Sequence, residues 1–341
     1  MATKILVTGG TGYIGSHTTV ELQQAGYEVV IIDNLSNSNI QVLDGIEAIT
    51  GIRPVFVQGD CTDMATLRKL FEENPGIKGI INFAASKAVG ESVHKPLLYY
   101  RNNLNTLMNL LECMPEYGVE GIVFSSSCTV YGEPDQNPID ESAPIKPATS
   151  PYGNTKQISE EIICDYIKSG APIKSILLRY FNPIGAHPSA LIGELPLGVP
   201  QNLVPYLTQA AAGVRAELTV FGDDYNTPDG SCIRDYIDVV DLAKAHVIAM
   251  KRMLDKNDTD KVEIFNLGTG CGVSVLELIG AFEKSTGVKV PHKIGARREG
   301  DIEKIWADPK KANEVLGWKA EIPVEETMRK AWKWQCKVLD K

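Results

Sequence analysis

At 341 residues, with 43% hydrophobic and 23% charged side chains, the chain has the composition of a globular protein large enough for two packed units. Disorder, collagen-like repeats and disulfide scaffolds are excluded on those numbers. Thirty-four basic against 43 acidic residues leave a formal charge of −9, the wrong sign for a general nucleic-acid or anionic-membrane surface, although a few local donors can still hold a small anion.

Seven scattered cysteines (61, 113, 128, 164, 232, 271 and 336) form no CxxC pair and no metal-ligand spacing. Reduced thiols, no metal and a cytoplasmic location are therefore expected. The opening Met-Ala-Thr-Lys-Ile-Leu-Val-Thr is too poor in apolar residues for a signal peptide. With no apolar run of about 18 residues, no membrane span is expected.

The predicted elements alternate from the start. Ile5-Leu6-Val7 reads as a strand, and a helical pattern then reaches about Ala25. Between them lies Thr8-Gly9-Gly10-Thr11-Gly12-Tyr13-Ile14-Gly15, whose glycines at 9, 12 and 15 have GxxGxxG spacing. Glycine there lets the backbone approach a pyrophosphate at the positive end of a helix. Val29-Val30-Ile31-Ile32 forms the next strand and ends on Asp33. A carboxylate at that point accepts from the adenosine ribose hydroxyls and repels a 2′-phosphate. A bare glycine pattern is weak, but strand, glycines, helix, strand and acid in succession predict NAD rather than NADP. Val55-Phe56-Val57 is a third strand, followed by Gly59-Asp60-Cys61, in which Asp60 can accept from an adenine amino group.

Gly79-Ile80-Ile81-Asn82-Phe83, Ile122-Val123-Phe124 and Ile176-Leu177-Leu178 continue the series. Such β-branched runs between helices predict strands buried on both faces and a doubly wound parallel sheet, an α/β fold of Rossmann type. From Pro183 to about Gly230 the chain is rich in Pro and Gly and poor in periodicity, which predicts a smaller α/β substrate lobe. Asp238 to Met253 is amphipathic and Ile264-Phe265-Asn266-Leu267 reads as a buried strand. The expected domains are a dinucleotide-binding domain over 1–180, with 238–267 returning to it, and a substrate-binding lobe over 181–341.

Two segments carry the candidate chemistry. Ser125-Ser126-Ser127-Cys128-Thr129-Val130-Tyr131-Gly132 leaves the carboxyl end of a strand, where side chains of a parallel sheet face the ligand crevice. A polar turn accounts for one or two serines but not for the full run. In Ser150-Pro151-Tyr152-Gly153-Asn154-Thr155-Lys156, Ser150 suits an N-cap and Pro151 the first helical position. Tyr152 and Lys156 then share one helix face, a turn apart. A tyrosine titrating near about 10 is a poor base at neutral pH. A lysine one turn away and a cationic nicotinamide favour the phenolate, making the pair a usable acid/base. Tyr and Lys at this spacing also occur on solvated faces; joined to the glycine motif the signal is strong.

The glycine motif, Ser127 and the Tyr152/Lys156 pair resemble the extended short-chain dehydrogenase/reductase family over nearly the whole chain. Lys87-Ala88-Val89-Gly90-Glu91-Ser92, Arg179-Tyr180-Phe181-Asn182-Pro183, Gly185-Ala186-His187, Arg234-Asp235-Tyr236 and Arg297-Arg298-Glu299-Gly300-Asp301 are similar, within that family, to its NAD-dependent UDP-sugar 4-epimerases. The resemblance implies interconversion of UDP-galactose and UDP-glucose through a transient 4-keto sugar, with NAD bound and not consumed. It makes Tyr152 the base for the 4-hydroxyl, Ser127 its hydrogen-bonding partner at that oxygen, and Lys156 the holder of the nicotinamide ribose. It adds Tyr13, Ile14, Asn34, Cys61, Phe83, Ala84, Lys87, Asn102 and Tyr180 to the cofactor set. Ser127, Tyr152, Phe181, Asn182, Asn202, Leu203, Phe221, Arg234, Arg298, Asp301 and Ile305 form the implied UDP-hexose set, in which a planar guanidinium can clamp pyrophosphate with aligned donors.

The family's usual assembly implies a homodimer through the helix bearing Leu104, Leu107, Leu111 and Met114 and the Tyr152/Lys156 helix; packing against the protein's own sheet explains that apolar spacing equally well. Asn82 and Asp238 stand where histidines often occur in the family. At Ile305 a bulky tyrosine tends to exclude N-acetylated sugars and a small residue admits them. Isoleucine is intermediate, which leaves UDP-N-acetylgalactosamine and UDP-N-acetylglucosamine open. A nucleotide-sugar 4,6-dehydratase would carry Asp-Glu at the positions of Cys128-Thr129. A non-catalytic NAD-binding regulator would be free to lose Tyr152 or Lys156, and both are present.

Overall fold

The computed structural model describes residues 2–257, 260–298 and 300–340; Met1 of the opening segment and Glu299 of the Arg-Arg-Glu-Gly-Asp motif lie outside the described residues. The first half of the chain runs β1 (Lys4–Thr8), α1 (Tyr13–Gln24), β2 (Glu28–Asp33), α2 (Val42–Thr50), β3 (Val55–Gln58), α3 (Met64–Glu73), β4 (Ile77–Asn82), α4 (Val89–His94), α5 (Pro96–Glu116), β5 (Gly121–Ser127), α6 (Pro151–Lys168) and β6 (Lys174–Tyr180). Then come β7 (Asn182–Ile184), α7 (Leu203–Ala211), β8 (Leu218–Phe221), β9 (Ile233–Arg234), β10 (Tyr236–Asp238), α8 (Val239–Leu254), β11 (Val262–Leu267), β12 (Val273–Ser274), α9 (Val275–Thr286), β13 (His292–Gly295), β14 (Lys304–Ile305) and α10 (Val324–Leu339). The chain forms two compact units. Unit 1 holds residues up to Gly132, Pro144–Tyr180 and Ala243–Phe265; unit 2 holds Glu133–Ala143, Phe181–Leu242 and the chain from Asn266 onward.

Unit 1 is built on a seven-stranded sheet of order β11-β6-β5-β4-β1-β2-β3. The β1–β2, β1–β4, β2–β3, β4–β5 and β5–β6 pairs all run parallel. This is the 3-2-1-4-5-6 order of doubly wound dinucleotide folds, with the order reversing between β1 and β4. Ile5, Leu6, Val7, Ile80, Ile81, Ile122 and Val123 are sealed from solvent, as runs buried on both faces require. β3 departs from that expectation. It is an edge strand, and Val55 is exposed.

Leu107, Leu111 and Met114 of α5 lie in the unit's core beside Leu110, Ile122 and Ile163. The apolar spacing of this helix therefore serves its own sheet. The apolar residues that α5 does expose are Leu97, Leu98 and Met108.

Unit 2 has short strands in small sheets, ordered β10-β7, β12-β9-β14 and β13-β8. Its core gathers Ile184, Val204, Leu207, Val220, Leu278, Phe282 and Met328. A capping box opens α9: Ser274 Oγ accepts from Glu277 N at 3.0 Å and Ser274 N donates to Glu277 Oε2 at 2.8 Å. The stretch Glu133–Ala143 belongs to this unit, where Ile139 bridges Ala307 and the Asn137 carboxamide bonds Lys304 O and Trp306 N. Among the described residues no helix is long and apolar enough to cross a membrane.

Candidate active site

The switch point of the unit 1 sheet lies at the carboxyl ends of β1 and β4. There Thr8 Oγ1 donates to Asn82 Oδ1 at 2.6 Å, and Ala84 N donates to Thr8 Oγ1 at 3.2 Å. Asn82 thus ties the two diverging strands together. Gly9 has φ +69°, and a Cβ there would lie 2.9 Å from Ala84 N. A Cβ on Gly15 would lie 2.3 Å from Gly9 O. Both glycines are required for the loop to pass this close to the strand ends and to the first turn of α1. Tyr13 and Ile14 begin that helix, and the Tyr13 ring meets His17 edge-on.

Asp33 is buried at the end of β2. Its Oδ2 accepts from Thr11 N at 3.2 Å, and its Oδ1 accepts from Leu35 N at 2.9 Å and Ser38 Oγ at 3.0 Å. A carboxylate offers about four acceptor sites, so one remains for a ribose hydroxyl. The glycine cradle and this acceptor fit the adenosine diphosphate half of NAD. Asp60 accepts from Thr62 N, Thr62 Oγ1 and Asn34 Nδ2. Burial pushes its carboxyl up, but those bonds prevail and hold it below its ordinary value. The Cys61 side chain points into the core and burial raises its thiol, so it offers a ligand only its backbone.

The loop after β4 is fixed from α5. Asn103 accepts from Ser86 N at 2.8 Å and donates to Ser86 O and Thr155 Oγ1 at 3.0 Å, while Asn102 donates to Ser86 Oγ at 3.0 Å. Phe83 packs 4.7 Å from the buried His246 ring, and Lys87 is exposed.

Ser150 caps α6 by accepting from Gly153 N at 3.1 Å, with Pro151 at the first position. Tyr152, Lys156 and Ser127 converge. The Ser127 hydroxyl acts on the Tyr152 phenol in the direction that favours its ionised form. Lys156 Nζ donates to Ser125 O at 2.7 Å and lies 5.9 Å from the centre of the Tyr152 ring. Burial raises the Tyr152 phenol above its ordinary value; neighbouring Tyr180 and Cys128 add to the rise, and the Ser127 bond opposes it. Burial also pushes Lys156 down to about 8, against the pull of Glu160. In the protein by itself desolvation therefore dominates the phenol. Tyr180 Oη lies 2.5 Å from Ser125 Oγ, and burial raises that phenol to about 12.

Sequence reasoning missed the group behind this corner. Ser126 Oγ donates to Glu160 Oε1 at 2.5 Å, Arg179 grips both Glu160 oxygens at 2.9 and 2.6 Å, and Arg179 Nη1 donates to Tyr131 Oη at 3.0 Å. Glu160 stands one turn beyond Lys156, as Lys156 does beyond Tyr152, and extending the spacing by four would have found it.

Unit 2 carries the residues expected for the nucleotide sugar. Asn182 N donates to Asp235 O at 2.9 Å beside the buried Phe181. Asn202 precedes α7, with Leu203 at its first position, and donates to Glu194 Oε1 at 2.6 Å. Arg298 donates to Asp301 from Nε at 3.2 and 3.1 Å and from Nη2 at 2.6 Å, and its guanidinium lies 5.4 Å from the centre of the exposed Phe221 ring. Arg234 Nη2 comes to 4.0 Å from Asp301, and Arg234 pairs in β-register with the buried Ile305. Arg297 turns instead to Asp224 at 2.6 Å. Asp235 is a hub that accepts from Thr269 N, Thr269 Oγ1, Gly270 N and Ala307 N. Asp238, where a histidine was noted in relatives, pairs with Lys330 at 2.7 Å and accepts from Thr327 Oγ1.

Fold and site together define a dinucleotide-linked acid/base enzyme of the extended short-chain dehydrogenase/reductase class. A family model described as GDP-mannose 4,6 dehydratase matches residues 6–331. The chain is 51% identical over 331 residues to UDP-glucose 4-epimerase of Bacillus subtilis (strain 168), covering 97% of this chain and 96% of that one. It superposes with a TM-score of 0.95 and 49% identity, over 99% of both chains, on the crystal structure of UDP-glucose-4-epimerase from Stenotrophomonas maltophila with bound NAD and formylated UDP-arabinopyranose. For UDP-glucose 4-epimerase from Bifidobacterium longum in complex with NAD+ and UDP, the TM-score is 0.94 and the identity 47%, over 98% of both chains. The chain belongs to the family that this model describes and, within it, to the UDP-glucose 4-epimerases.

Proposed function

We infer that the chain is an NAD-dependent isomerase that interconverts UDP-galactose and UDP-glucose by inverting carbon 4 of the hexose. The observation that carries the reading is Tyr152 at the start of α6 with the buried Lys156 one turn along, 5.9 Å from its ring centre, beside a glycine cradle and an acidic β2 terminus. Gly9, Gly12 and Gly15 hold the pyrophosphate of NAD and Asp33 its adenosine ribose. The loop with Phe83, Ala84 and Lys87, together with Asn102, Tyr180 and Lys156, holds its nicotinamide half. When bound, NAD supplies a hydride acceptor and donor for carbon 4 and a positively charged ring.

Tyr152 takes the 4-hydroxyl proton as carbon 4 is oxidised and gives it back as the carbon is reduced. Ser127 hydrogen-bonds the same oxygen and offsets the charge on it. The 4-keto sugar has to present either face, so recognition concentrates on the nucleotide: Arg234 and Arg298 on the pyrophosphate, and Asn182, Asn202, Leu203, Phe221 and Asp301 around the rest. Unit 1 is thus the NAD-binding domain and unit 2 the UDP-sugar lobe. Elimination of the 6-hydroxyl would need an acid and a base where Cys128 and Thr129 stand, and neither a thiol nor a threonine hydroxyl replaces a carboxylate pair. The enzyme works in the cytoplasm as a homodimer through α5 and α6, for which Leu97, Leu98 and Met108 provide uncovered apolar surface.

The test is to incubate the purified protein with UDP-galactose and assay UDP-glucose and 4-keto-6-deoxy product separately. UDP-glucose alone is the expected result; the deoxy product, or no conversion, overturns the reading.

A further inference from the structure

We propose that Glu160 is a positioning residue for the acid/base pair: its carboxylate fixes a negative charge one helical turn beyond Lys156 and keeps that amine an ammonium while the phenol exchanges its proton. The proposal rests on the roles given above to Tyr152 and Lys156.

Tyr152, Lys156 and Glu160 follow one another at helical spacing along the face of α6 that meets β5 and β6. Glu160 is buried, where an unpaired carboxylate would take up a proton. It is not unpaired. Arg179, which stays charged at any working pH, meets it with two parallel donors from β6, and Ser126 adds a third bond from β5. Arg179 is held in turn by Tyr131. The carboxylate is therefore held in place by three donors, two of them from a permanent cation.

Lys156 has the opposite need. It is buried against the Phe124 ring at 4.9 Å, and its hydrogen bond to Ser125 O is to a neutral group. Among the described residues, Tyr99 from α5, Cys128 from the turn after β5 and Tyr180 from β6 also act on the phenol, none with a fixed charge. Glu91 of α4 is engaged by Lys95 and Tyr99. Glu160 is the anion that opposes the desolvation of the lysine. Without it the amine would lose its proton at lower pH, and the phenolate would lose its neighbouring cation.

The experiment is the pH profile of kcat/KM for UDP-galactose, with bound NAD and thermal midpoint measured on each variant. Glu160→Gln removes the charge. Glu160→Gln/Arg179→Met removes it without leaving a buried arginine unpaired, an exchange that cores often tolerate. Glu160→Asp and Arg179→Lys keep the charge while disturbing the packing. The alkaline limb is expected to move to lower pH by about one unit in Glu160→Gln, by less in the double variant because the Arg179 cation leaves with the carboxylate, and to stay in place in the two charge-keeping ones. A limb that coincides with the parent in an NAD-retaining Glu160→Gln variant overturns the proposal. So does a limb that moves equally in Glu160→Asp. Failure of both charge-deleting variants to fold also counts against it, because the pair would then be a brace for the fold. Absence of turnover in the parent would instead defeat the proposed function itself.

Discussion

Around Tyr152 in unit 1, Lys156, Glu160, Arg179, Ser125, Ser126 and Ser127 are buried and hydrogen-bonded within the unit. At the edge of unit 2 the Arg298 side chain is 56% exposed and is bonded to Asp301, with Arg234 drawn toward the same carboxylate. The first arrangement is fixed before any ligand arrives. In the second, the Asp301 carboxylate is shared between two guanidiniums, one of them open to solvent. Groups that handle a moving charge gain from fixed surroundings, since nothing then has to reorganise during reaction. Groups that capture a ligand gain from partners they can give up.

Four measurements would break or sharpen that contrast. The largest effect is expected from Tyr152→Phe, which removes the acid/base and leaves the glycine loop untouched. Turnover should fall by roughly 10³-fold with NAD still bound, within the usual range for general acid–base groups. Turnover within tenfold of the parent would remove Tyr152 from the chemistry. Arg298→Met should raise KM for UDP-galactose by about 10- to 100-fold through loss of a charge-assisted contact, with kcat little changed. A fall in kcat at constant KM would place Arg298 on the fixed side of the comparison. Ile305→Tyr should cut turnover of UDP-N-acetylgalactosamine by about tenfold more than that of UDP-galactose. Equal losses on both sugars would mean this buried position is not a gate.

The smallest effect is that of pH. With Lys156 held down to about 8, turnover should decline a few-fold as pH rises from about 7 to about 8.5. Stability responds with the opposite sign. Unfolded Lys156 keeps its proton up to its ordinary value of 10.5, so between about 8 and 10.5 the unfolded state binds more protons and this group's contribution to stability rises with pH. A thermal midpoint that fell in step with activity over that window would show that unfolding, not the amine, causes the loss.

The same contrast explains what could be read in the chain beforehand. Ile5-Leu6-Val7, Val29 to Ile32, Gly79 to Phe83, Ile122 to Phe124 and Ile264 to Leu267 each announce a strand, because both faces are covered and every residue but Asn82 and Asn266 is apolar. The amphipathic stretch from Asp238 to Met253 is α8. The strands of unit 2 were hidden. β9, β12 and β14 are two residues long, too short for any periodicity, and are held by neighbours far away in sequence. The Tyr152/Lys156 pair was legible because it lies within one helical turn. The bond between Glu160 and Arg179 was not, because a strand and a helix end separate them and their types are common on surfaces. On α5, sequence reasoning could not tell which apolar positions face the sheet; Leu107, Leu111 and Met114 do, and Met108 does not.

The excursion at Glu133–Ala143 has a consequence for how such enzymes can be recombined. The chain leaves the serine run, contributes Asn137 and Ile139 to the other body, and only then starts the tyrosine helix. Unit 2 is therefore drawn from three separate stretches of the chain and does not follow unit 1 as a cassette. A breeder of hybrid epimerases who exchanges only the C-terminal portion will splice mismatched partners at Asn137 and Ile139.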